Sequence, residues 1–186
     1  MSYFENIKIS DGTATAGLDP STSALEIIDY PHHEIHAGDS YVCTDVQSVD
    51  TTTQYWMVTT PDTTKWGHVL FILECSGEIE VTITEGADRT GTAALTAINR
   101  NRNSSNTAGI TVHRGYTNGT TDGATTVFKV RSGSTNVGGR TVFGGGVRGV
   151  NEFVLKQNTK YIIKIETFAT VYVTLDLNWY EHTDDN

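Results

Sequence analysis

A chain of 186 residues suffices for one domain that buries roughly 70% of its unfolded surface. Its 37% apolar and 19% charged residues, 18 Gly, about thirty Thr and only 3 Pro and 2 Met describe a protein rich in strands and turns and poor in helix. No run approaches the roughly 20 apolar residues of a helical bilayer span, and 13 Lys plus Arg against 22 Asp plus Glu, a net charge of -9, leave no cationic face for phosphates, so neither membrane nor nucleic acid is expected as a partner.

The first 24 residues are rich in Gly, Ser, Thr and Asp, with scattered apolar positions and no period, and are expected to form an extended arm ahead of a single domain over 25–186. They contain no basic segment followed by an apolar one, so no secretory signal is expected and the chain is expected to be made in a cytoplasm. Leu25 to Tyr30 reads as a helical turn or short strand ended by Pro31.

From residue 40 the strand pattern is steady. Ser40–Val49 and Gln54–Thr60 alternate, and Pro61-Asp62 makes a turn. His68–Leu73 is apolar on both faces, as in a covered central strand, and Cys75 continues its Val69, Phe71, Leu73 face. Cys43 and Cys75 have neither disulfide-scaffold nor metal spacing and read as small buried hydrophobes. Glu78–Glu85 alternates Ile79, Val81, Ile83 against Glu80, Thr82, Thr84, and the Ser76-Gly77 turn before it suggests a hairpin with the preceding strand.

Ala93–Ile98, Ile110–His113 and Thr125–Val130 read as short strands, separated by the polar loop Asn99–Asn106 and the turn cluster Thr117–Gly123. Residues 132–149 carry few large side chains, and the glycines at 144–146 exclude a strand interior there. Glu152–Lys156, Tyr161–Thr167 and Thr170–Tyr180 complete the pattern, the last two joined by a Thr167–Thr170 turn that suggests a β-meander. About ten short antiparallel strands without a useful helix predict an all-β protein, a β-sandwich or jelly roll.

Chemistry is sparse. There is no G-x-S-x-G elbow, and Gly144-Gly-Gly146 leads into no helix that could hold an anion, so no catalytic residue and no cofactor is expected. The best metal candidate is Pro31-His-His-Glu-Ile-His36: in a strand His32, Glu34 and His36 would share a face as three ligands, against the plainer reading of a polar edge segment. Trp56, Trp66, Trp179 and the tyrosines could stack sugars or fill a core. Arg100 and Arg102 lie in an Asn and Ser loop suited to amide hydrogen bonds or an acidic partner.

Five stretches occur in order: His32-His-Glu-Ile-His36 with Gly38, Pro61-Asp-Thr-Thr-Lys-Trp-Gly-His68, Asn101-Arg-Asn-Ser-Ser-Asn-Thr107, Asn151-Glu-Phe-Val-Leu-Lys-Gln-Asn-Thr159 and Asn178-Trp-Tyr-Glu-His-Thr183. From about residue 24 to the C-terminus the chain thereby resembles a family of small virion proteins of tailed bacteriophages, regarded as head decoration or cement proteins. The resemblance implies a β-sandwich or jelly-roll protein, a homotrimer on the outer capsid surface, with the major capsid protein as partner and no catalytic residues. It suggests that the arm and the His32, His33, His36 segment contact the capsid or a sister subunit and that Trp66 and Trp179 anchor the core or the trimer interface, with Arg100 and Arg102 as further interface candidates. Residues 115–149 depart most from the family pattern. The alternative is a tail- or fibre-associated module for a host surface glycan.

Overall fold

A computed structural model of the chain describes residues 30–133, 141–144 and 151–183. The expected arm, 1–24, and the Leu25–Asp29 stretch lie outside them. Among these residues one helix, α1 (Tyr30–Ala37), precedes twelve strands: β1 (Ser40–Asp50), β2 (Thr53–Thr59), β3 (Lys65–Cys75), β4 (Ile79–Glu85), β5 (Thr90–Leu95), β6 (Ile98–Asn99), β7 (Thr111–Thr117), β8 (Thr125–Ser132), β9 (Thr141–Gly144), β10 (Phe153–Leu155), β11 (Lys160–Thr167) and β12 (Thr170–Thr183). The all-β expectation holds: the strands form two antiparallel sheets packed as a sandwich. The first runs β10-β3-β12-β1-β6 with β9 also on β3, and the second runs β5-β7-β2-β11-β4-β8.

Period-two alternation creates the core. Val69, Phe71, Leu73 and Cys75 of β3 and Val171, Val173, Leu175, Leu177 and Trp179 of β12 face Ile79, Val81, Ile83 of β4 and Tyr161, Ile163, Ile165 of β11, all buried in one apolar cluster. Cys43 and Cys75 are both buried within it, and burial pushes the Cys43 thiol up to about 11.

Two expected strand pairings are corrected. β3 and β4 do not form a hairpin, and β11 and β12 are not neighbours in a meander, because in each case the two strands lie in opposite sheets. β1 and β2 behave alike, so the turns at Thr51-Thr52, Ser76–Glu78 and Phe168-Ala169 each carry the chain across the sandwich. The turns are clasped to one another: Thr167 N donates to Thr52 O at 3.2 Å, Thr52 N to Thr167 Oγ1 at 3.2 Å, Ser76 N to Tyr172 O at 3.0 Å and Tyr172 N to Ser76 Oγ at 2.9 Å. The strands joined by these three turns thus bury their apolar faces from opposite sides of one core.

The reading of 32–36 as a strand is also corrected. Proline is tolerated in the first helical turn, and Pro31 helps to start α1 where it was expected to end an element. Gly38, at φ 80°, ends the helix, with Gly38 N donating to Ile35 O at 3.1 Å and Asp39 N to Glu34 O at 3.0 Å. A Cβ on Gly38 would lie 2.3 Å from Ser104 Oγ, so glycine serves there both for its φ and for the approach of the 99–106 loop.

Candidate interaction surface

The outer faces of the two sheets differ in chemistry. That of the second is charged and cross-linked by ion pairs: Lys129 to Glu80 at 2.7 Å, Arg131 to Glu78 at 2.9 Å and Lys164 to Glu166 at 3.0 Å. The first sheet instead presents Thr44, Ser48, Thr174 and Asn178, with the carboxylates of Glu74 and Asp176, among apolar side chains. Outward positions on its strands hold Val46, 59% exposed, and Tyr172, 66% exposed, together with Trp66, Ile98, Val142 and Val154. Of the eight large apolar side chains left exposed among the described residues, six lie on this face, Tyr30 lies on α1 beside it, and Phe168 lies in a turn.

One end of this face is elaborated. Tyr180 and His182 of β12 and His68 of β3 all point outward, and α1 lies against them. The Tyr30 hydroxyl is 3.0 Å from His182 Nδ1, and His182 Nε2 is 2.8 Å from His68 Nε2. The His68 ring stacks on Tyr180 with centroids 4.6 Å apart, Tyr180 donates its hydroxyl to Glu152 at 3.2 Å, and His68 Nδ1 lies 3.6 Å from the same carboxylate. An imidazole-to-imidazole bond needs one ring to donate and the other to accept, so this pair holds its geometry only while one of the facing nitrogens is unprotonated.

The structure brings most of the sequence-predicted residues to this end. His33 stacks on Tyr30 at 6.1 Å, and its Nδ1 is 3.1 Å from Glu34, whose carboxylate is buried. His32 and His36, one helical turn apart, contact each other through Nε2 atoms 3.0 Å apart. Asn101 donates to the His36 carbonyl at 3.0 Å, Arg100 donates to Asn178 at 3.3 Å on the sheet face, and Arg102 turns back to the Asn99 carbonyl at 3.4 Å. Trp66 is paired in register with His182 and stands exposed.

The three metal candidates do not all come together, and Trp179 takes the core alternative over the interface one. Helical geometry puts Glu34 on the buried side, away from His32 and His36, so the three-ligand set does not assemble, and no group of three or more His, Cys, Asp or Glu able to hold a metal occurs among the described residues. Trp179 is a core residue, 1% exposed, and its indole donates to Glu181 at 2.9 Å. Sequence reading did not single out His182, Tyr180, Glu152 or Tyr30. The outward alternation of β12 is the signal that would have placed Tyr180 and His182 on this face, but nothing local shows that α1 folds over them.

The chain matches no protein-family model, no curated protein and no solved structure.

Proposed function

We propose that this chain is a virion structural protein of a tailed bacteriophage, a head decoration or cement protein without enzymatic activity. In this reading it is made in the host cytoplasm and sits as a homotrimer on the outer capsid surface, where it bridges subunits of the major capsid protein. The five motifs that resemble the decoration family support the identity, and the crossing of β1–β2, β3–β4 and β11–β12 between sheets supports a jelly-roll winding. The observation that carries the binding role is the outer face of the first sheet. It concentrates exposed apolar side chains among hydroxyls and amides, whereas the second sheet carries a solvated ion-pair face. Such a surface gives shape-complementary contact with many modest hydrogen bonds, which suits a permanent clamp.

The mechanism is then one of linkage. A protein that binds only the assembled shell stabilises that shell by mass action, and a trimer multiplies weak contacts into avidity. A second reading, a tail- or fibre-associated module for a host surface glycan, draws on Tyr172 and Trp66, aromatic groups on the same face that could stack sugars.

Co-sedimentation with empty heads tests the proposal. Val46→Asp combined with Tyr172→Asp places charge on exposed positions and should leave the melting temperature within a few degrees of the parent, while head occupancy falls by about tenfold or more. Undiminished occupancy would show that another surface makes the contact.

A further inference from the structure

Among the described residues, the core leaves a cavity at one lateral edge of the sandwich. There β9 and β10 border the first sheet and β8 the second, and Phe71, Leu73, Ile83, Phe128, Phe143 and Phe153 surround a partly open cavity of ≈ 250 Å³. Asn151, Glu152 and the backbone of Gly144 supply its polar border. Phe71 and Phe153 meet edge to face with centroids 5.8 Å apart, so two walls of the cavity brace each other. Gly144 has φ 69°, and a Cβ there would lie 1.9 Å from Phe71 O, so only glycine brings β9 this close to β3 at the border.

We propose that this cavity is a binding site for a small amphipathic molecule whose apolar body enters between the sheets and whose polar end is uncharged or cationic. Size, lining and charge each constrain the guest. A protein cavity of about 150 Å³ lined by apolar side chains stays dry and admits benzene, so ≈ 250 Å³ admits a larger ring or a chain of about six to eight carbons. Phenylalanine and aliphatic walls forfeit dispersion contacts that a guest of matching shape restores, and they offer water few hydrogen-bond partners. At the border the Glu152 carboxylate, which accepts the Tyr180 hydroxyl at 3.2 Å and has His68 Nδ1 3.6 Å away, disfavours an anionic head group relative to a hydroxyl or ammonium. The site is separate from the apolar outer face, and the inference does not depend on the head-binding role.

Methyl NMR of the full chain at about pH 8, where a free imidazole is neutral, reads the site directly. Hexan-1-ol should shift the Leu73 and Ile83 methyl signals saturably with a dissociation constant on the order of 1 mM, while the Val173 methyls in the closed part of the core stay unchanged. Hexylamine should bind at least as tightly as hexan-1-ol, and hexanoate about tenfold more weakly. In Glu152→Gln the preference for the amine over the carboxylate should disappear while hexan-1-ol binding persists. The absence of saturable shifts at Leu73 and Ile83, or a response confined to the surface methyls of Val46, would overturn the proposal. So would hexanoate binding as tightly as hexylamine in the parent protein, or an undiminished amine preference in Glu152→Gln.

Discussion

Glu181 shows how a single residue joins two parts of the molecule. On the inward side of β12 its buried carboxylate accepts the Gly109 and Ile110 backbone amides at 2.9 Å each and the Trp179 indole at 2.9 Å, tying the long loop before β7 to the end of the sheet. Glu181→Ala strands two buried donors, the Ile110 amide and the Trp179 indole, together with the part-buried Gly109 amide, and should lower the unfolding free energy by about 3 kcal/mol, whereas Glu181→Gln keeps one acceptor oxygen and should cost about half as much. Urea denaturation measures both, and an alanine variant within about 0.5 kcal/mol of the parent would contradict this role. None of it was legible in Asn178-Trp-Tyr-Glu-His-Thr183, where Glu181 looks like one more polar strand residue. The burial of a carboxylate is decided by a loop seventy residues away in sequence. The His32, Glu34, His36 spacing failed for a related reason, because alternate positions share a face in a strand but diverge in a helix.

Among the elements, faces were readable and partners were not. The alternation of β4 and the Val69, Phe71, Leu73, Cys75 face of β3 named buried side chains correctly, since one face of each strand must enter the core. The same alternation is indifferent to whether a short turn folds a strand back beside its predecessor or carries it to the opposite sheet, and the two turns that looked like a hairpin and a meander are crossings. The elements away from the core depend on polar ties. Asp88, after β4, accepts the Thr120 and Thr121 backbone amides at 2.8 Å each and the Thr120 hydroxyl at 2.9 Å, and these bonds, the Thr121 amide first, hold its carboxyl down to about 2. A folded-state value below the unfolded one makes a contribution present above the ordinary carboxyl range near pH 4, and it is lost as pH falls through about 2. Between about pH 5 and pH 2 the urea midpoint of Asp88→Asn should therefore fall less steeply than that of the parent, and parallel slopes would contradict the assignment.

At the scale of the whole molecule the composition acquires a location. Threonine and serine in a strand-rich acidic chain promised a hydroxyl surface, and the two sheets divide it unequally. Thr82 and Thr84 lie between ion pairs on one side, and Thr44, Ser48 and Thr174 lie beside Val46, Tyr172 and Ile98 on the other. One face is solvated and cross-linked by ion pairs, and on the other the exposed apolar side chains stand among hydroxyls. α1 and the 99–106 loop rim that face at one end, with most of the histidines and arginines singled out from the sequence. Electron cryo-microscopy of the intact particle tests the central claim most directly. The account predicts hundreds of copies in three-fold clusters on the outer head lattice, each with the face bearing Val46 and Tyr172 toward the shell. A few copies at the tail, or a head lattice contacted through the Lys129 and Lys164 face instead, would contradict it.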